Sequence, residues 1–101
     1  MFKDNDTKGF LVAIDWPNGV GKSTFIEEIK IKLESENYEI YVTREPTNTD
    51  LGNYTRKFAE HHSGISLACL VAADRYEHIW TEILSELIKG KIVITDIYCL
   101  L

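Results

Sequence analysis

The stretch "DWPNGVGKST", Asp15 to Thr24, places a lysine and two hydroxyl side chains directly behind a pair of glycines. Gly19 and Gly21 leave room for backbone N–H groups to turn inward around an anion, where a side chain would intrude. A helix opening at Lys22 adds its own N-terminal donors and the positive end of its dipole. Lys22 is then placed to reach the outer phosphates of a nucleotide, and the Ser23 hydroxyl to ligate Mg²⁺. The pattern G-x-x-x-x-G-K-[ST] is met at Gly21, Lys22 and Ser23, but its first glycine position holds Trp16. An indole there must turn away from the phosphates or fill the pocket.

Other charged residues stand where such a loop needs help. Asp96 ends an apolar run, the place of a strand-end acid that helps hold a metal. Taken alone, an acid there serves as well as a turn or helix-cap residue. Arg44 and Arg75 can give charge-assisted hydrogen bonds to a second phosphate or to a base; either alone also fits a solvated surface charge. His61 and His62 are adjacent and His78 is remote from both, so no metal-ligand spacing arises. Trp80 is expected in the core.

These groups need a scaffold, and apolar periodicity supplies one. "GFLVAID", Gly9 to Asp15, is a nearly continuous apolar run and predicts a strand buried on both faces. Lys22 to Glu36 carries Phe25, Ile26, Ile29 and Leu33 on one helical face, with Glu28 and Lys32 four apart outside it. "YEIYVTR", Tyr38 to Arg44, predicts a second strand closed by Pro46. A weaker helix is expected between Asp50 and His62. Ser66 to Lys89 predicts a long helix whose wide apolar stripe would be covered on more than one side, with Gly90 ending it. "KIVITD", Lys91 to Asp96, predicts a third buried strand. Strands alternating with helices mean right-handed βαβ units, a parallel sheet and an α/β fold. In such sheets ligands sit beyond the carboxyl ends of the strands, where the glycine loop, "TREP" and "TDIY" all fall.

Composition narrows the partners. The chain has 101 residues, enough for one small domain, with 45% apolar residues and 11% aromatics to build a core. A net charge of −5 with no basic block argues against a nucleic-acid polymer as partner. Cys69 and Cys99 make no disulfide framework or metal site and fit reduced thiols in the cytoplasm. No signal-peptide run precedes the first strand, and no stretch approaches a membrane span.

In combination, "NGVGKST", "VTREPTNTDLG", "LVAADRYEH" and "VITDIY" resemble thymidylate kinase, a nucleoside-monophosphate kinase of the P-loop class, in family order and spacing from Gly9 to Tyr98. The resemblance implies a P-loop NTPase-type parallel sheet flanked by helices, and transfer of the γ-phosphoryl of ATP, with Mg²⁺, onto dTMP in nucleotide biosynthesis. It implies that Asn18, Gly19, Val20, Gly21, Lys22, Ser23 and Thr24 hold ATP. Lys22 and Asp96 would carry the catalytic charge, and Ser23 and Asp96 the metal. Asn18, Arg44, Glu45 and Arg75 would contact the acceptor nucleotide, Arg75 at the thymine edge.

The departures from the family pattern bear on turnover. Besides Trp16, Ile97 replaces the arginine of the family's D-R-Y segment, a charge-assisted contact of about 1.5–3 kcal/mol. Asn18 stands where many relatives have aspartate, and Val71 where an aromatic often stacks on the base. The 101 residues are expected to form one partial kinase domain ending after the third strand, without the lid and the C-terminal half. A missing catalytic arginine alone is worth about three to five orders of magnitude. Two alternatives to a slow enzyme are a nucleotide-binding module without catalysis and a structural α/β fragment. The exposed sheet edge and apolar "CLL" end also suit self-association.

Overall fold

The computed structural model describes residues 8–15, 21–98 and 100. Trp16, Pro17, Asn18, Gly19 and Val20, and with them half of the glycine loop, lie outside the described residues, as does Cys99. Three strands, β1 (Phe10–Asp15), β2 (Ile40–Glu45) and β3 (Ile92–Ile97), form a parallel sheet in the order β1-β3-β2. The expected α/β architecture is present. Phe10 aligns with Ile92 on one side of β3 and Ile40 on the other, so all three strands end level at Asp15, Ile97 and Glu45.

Strand alternation splits the sheet into two faces. Ile14, Ile92 and Ile94 meet Ile26 and Ile29 of α1 (Lys22–Ser35) on one side. On the other side Val93 and Thr95 are buried under the helical layer that contributes Leu67 and Ile83. Val93 and Ile94 are both fully buried, which fits a central strand sandwiched between layers. Each such side chain contributes about 1.5–3 kcal/mol.

The expectation of a doubly buried β1 fails. Phe10 is 71% exposed, and Leu11 and Val12 are also open to solvent. The run is apolar enough for a central strand, but among the described residues β1 pairs with β3 alone. No described strand pairs with its other edge.

The helix ends follow local chemistry. Gly21 precedes α1 with φ 102°, a left-handed conformation that favours glycine, and its carbonyl accepts from Phe25 N–H. At the other end Asn37 takes φ 70°, and Tyr38 N–H returns to the Leu33 carbonyl. Thr49 caps α2 (Asp50–Ala59) by accepting from Gly52 N–H at 3.2 Å. This helix stops three residues short of the expected His62. Gly52 lies so close to the Thr47 carbonyl that an added Cβ would sit 2.1 Å from its oxygen.

The long helix is real but not uniform. It comprises α3 (Ile65–His78), a π-helical turn at Ile79–Ile83 and α4 (Leu84–Ile88), with Gly90 at φ 89° ending it as expected. As expected it is covered on more than one side: α3 packs against α2, and the helix also lies over β3 beside Thr95. Leu67 and Ile83 are buried, whereas Ile88 is exposed. Trp80 is also exposed, at 44%, rather than in the core. It lies on the outer face beside Tyr76, four residues earlier, with ring centroids 6.3 Å apart.

Candidate functional site

The level strand ends place two consecutive β3 residues on opposite faces of the sheet. Asp96 faces α1 and Ile97 faces α3, and each opens onto its own cavity.

On the α1 side, Lys22 is buried at the first turn of its helix and reaches across to β3. Its Nζ lies 2.5 Å from Asp96 Oδ1 and donates to the Ile97 carbonyl at 2.8 Å. The Asp96 contact is an ion pair without hydrogen-bond alignment, and Oδ1 accepts no hydrogen bond among the described residues. Asp96 shares a cavity of about 390 Å³ with Ser23, Arg44 and Glu82. Thr24 is exposed on the same helical turn. A carboxylate and a hydroxyl lining one cavity are hard oxygen donors, so Asp96 and Ser23 fit Mg²⁺.

On the α3 side, Glu45, Arg75, Val71, Asp15 and Ile97 line a smaller cavity of about 140 Å³. Arg75 Nε donates to Glu45 Oε1 at 2.7 Å, and the arginine side chain remains 47% exposed. Val71 and Ile97, two of the departures noted above, both form apolar wall here. Arg44 and Glu45, expected side by side at one ligand, point to different cavities because they are neighbours on a strand.

Behind Arg75 lies a buried polar network that the sequence reading missed. His78 Nδ1 is 2.8 Å from Glu45 Oε2, while its Nε2 is 2.7 Å from Thr43 Oγ1 and 3.1 Å from Glu82 Oε2. Tyr41 donates to Glu82 Oε1 at 3.1 Å. Asp74, also buried, accepts from Thr47 N–H at 2.8 Å and from the Thr47 hydroxyl at 2.6 Å. This fixes the loop that follows β2. A signal for the network was present. Asp74, His78 and Glu82 recur every four residues, a polar line along one face of the helix.

The network sets the charge states. Burial opposes the Glu45 carboxylate, but hydrogen bonds from His78 and Arg75, with their charges, outweigh it and hold its pKa below the ordinary value. Burial likewise disfavours the His78 imidazolium, yet the Glu45 hydrogen bond and the Glu82 charge raise its pKa. The Tyr41 hydroxyl is pushed up by burial and by its bond to Glu82.

Comparison with known proteins places this geometry in a lineage. Residues 14–100 match the family model described as thymidylate kinase. The chain is 36% identical over 94 residues to the thymidylate kinase of Clavibacter sepedonicus, covering 89% of this chain and 44% of that protein. It is 34% identical over 99 residues to a probable thymidylate kinase of Pyrococcus horikoshii, covering 90% of this chain and 48% of the relative. The crystal structure of thymidylate kinase from Ehrlichia chaffeensis superposes with a TM-score of 0.71 at 29% identity, covering 89% of this chain and 54% of that one. The chain thus spans about half the length of the relatives it matches.

Proposed function

The chain belongs to the thymidylate kinase family, and on that premise we propose that it forms the donor-phosphate and acceptor faces of a cytoplasmic phosphotransferase that converts ATP and dTMP to ADP and dTDP. One observation carries the proposal: consecutive β3 residues, Asp96 and Ile97, open onto two separate cavities at the carboxyl edge of one parallel sheet. The first holds a carboxylate and a hydroxyl, with Lys22 paired to that carboxylate, a set suited to phosphates and their metal. The second holds a half-exposed guanidinium suited to a nucleobase edge.

In this reading Gly21 starts α1 so that its first N–H groups face the ATP phosphates, together with Asn18, Gly19, Val20, Ser23 and Thr24. Lys22 swings from Asp96 toward the phosphates, exchanging one anionic partner for another. Mg²⁺, held by Ser23 and Asp96, would neutralise charge on the transferred phosphoryl group. Glu45 fixes Arg75, which donates to the acceptor base, while Arg44 and Asn18 flank the acceptor from the strand ends. The reaction asks the protein for little beyond positioning and charge neutralisation.

A second reading, nucleotide binding without turnover, is favoured by Ile97. It puts an apolar wall in the acceptor cavity at the position where the resemblance leads one to expect the arginine of a D-R-Y segment. Calorimetric titration with Mg²⁺–ATP and then dTMP, followed by a coupled assay for ADP, separates the two. Micromolar binding of both with ADP release supports the kinase. Binding without ADP release supports the second reading, and no binding by folded protein overturns both.

A further inference from the structure

We propose that His78 is a positioning residue for Arg75, acting through the Glu45 carboxylate that the two side chains share. The proposal rests on the reading of the Arg75 cavity as the acceptor site. Arg75 cannot be steered by its own surroundings, since it is half exposed and its described ion-pair partner is Glu45. A carboxylate held from one side only rotates about its terminal bond and takes its partner with it. Here it is held from both sides. Arg75 Nε takes Oε1 at 2.7 Å and His78 Nδ1 takes Oε2 at 2.8 Å. With one oxygen fixed by a buried ring, the other has a defined direction, and so does the guanidinium.

The groups around the ring keep Nδ1 a donor. From β2, Thr43 and Glu45 face it; from the π-helical turn, Glu82; Arg75 lies beyond Glu45 and Tyr41 beyond Glu82. When both ring nitrogens carry protons, Nδ1 donates to Glu45 and Nε2 to Glu82 or Thr43. The charges of Glu45, Glu82, His78 and Arg75 then cancel. When the ring is neutral, Nε2 can become an acceptor, because the Thr43 hydroxyl can turn from Glu82, to which it donates at 3.1 Å, and donate to the ring instead. Nothing described on the Nδ1 side can donate to that nitrogen, since Glu45 only accepts. Thr43 therefore selects the tautomer with Nδ1–H, and the hold on Glu45 persists in either protonation state.

The test uses the full chain and two readouts. The first is the ¹⁵N-coupled Nε–H resonance of Arg75 without nucleotide, and the second is dTMP affinity by calorimetry. His78→Leu should broaden or abolish the Arg75 Nε–H signal and weaken dTMP binding about tenfold, the loss of one positioned hydrogen bond, with Mg²⁺–ATP binding unchanged. His78→Asn, whose amide N–H can take the place of Nδ1–H, should restore both; His78→Gln, which reaches toward Glu82 instead, should not. An Arg75 signal unaltered in His78→Leu overturns the proposal. If the leucine variant does not fold, the asparagine and glutamine variants decide it, and equal behaviour of the two overturns it. An Arg75 signal that responds as expected while dTMP affinity is flat or absent upholds the positioning role and refutes the acceptor reading.

Discussion

On the α1 side of the sheet, Lys22 is met by the Asp96 carboxylate and one backbone carbonyl beside a wide cavity. On the α3 side, Arg75 sits at the end of a chain of hydrogen bonds running through buried Glu45 and His78 to Glu82. In the proposed function the two sides solve different problems with the same sheet. A lysine that must follow a moving phosphoryl group gains from a partner it can leave. A guanidinium that must discriminate a flat base edge gains from being immobilised, because specificity depends on donors that cannot adapt. Stability and recognition are thus coupled on the α3 side and largely separate on the α1 side.

The sharpest way to break this contrast is at Lys22. Lys22→Ala should lower Mg²⁺–ATP affinity or turnover by roughly a thousandfold, about 4 kcal/mol, with a small change in the urea midpoint; a large loss of stability with nucleotide affinity intact would erase the distinction. Next comes Asp74→Ala, which strands the buried Thr47 N–H and hydroxyl. It should cost about 3 kcal/mol in denaturant unfolding, and a cost under a third of that would mean water replaces the carboxylate. Gly52→Ala, facing the Thr47 carbonyl, should cost about 2 kcal/mol through the forced shift of α2, while a similar change at exposed Glu28 should be neutral. The smallest effect is that of pH. Glu45, depressed below its ordinary 4.5, contributes stability that is present above that value and lost as pH falls through its folded pKa. His78, raised above 6.5, contributes stability that is present below that value and lost as pH rises through its folded pKa. Stability should therefore be greatest between pH 4.5 and 6.5. Urea titrations across pH should show the alkaline decline flattened in His78→Gln.

Local chemistry made the scaffold readable. The apolar runs at β1 and β3, the α1 stripe, Gly21 and Gly90 each report on a few neighbouring residues, and each element formed within a few positions of its expected bounds. What covers an element is a different kind of information. "FLVAID" and "IVITDI" look alike as strings, yet among the described residues β3 is flanked on both edges and β1 on one. Trp80 has the composition of a core residue, but its helical position faces outward beside Tyr76. That Lys22 and Asp96 share one site at the strand ends followed from the order of motifs, though their ion pair did not. His78 did not, because its value comes from Thr43 and Glu45, 35 and 33 positions away, and single-residue reasoning gave it no partner.

The strand order has a consequence for how the chain is made. The strand that both others need is the last of the three to be synthesised. Phe10 waits for Ile92, 82 residues later, before its ladder can form. At about 5–20 residues per second, a ribosome would leave β1 without a mate for roughly 4–16 seconds. During that interval a string as apolar as Phe10 to Ile14 is accessible to any passing chaperone. The sheet then assembles only once β3 has been made, through pairings 82 residues apart, which raises the contact order and slows the first folding event.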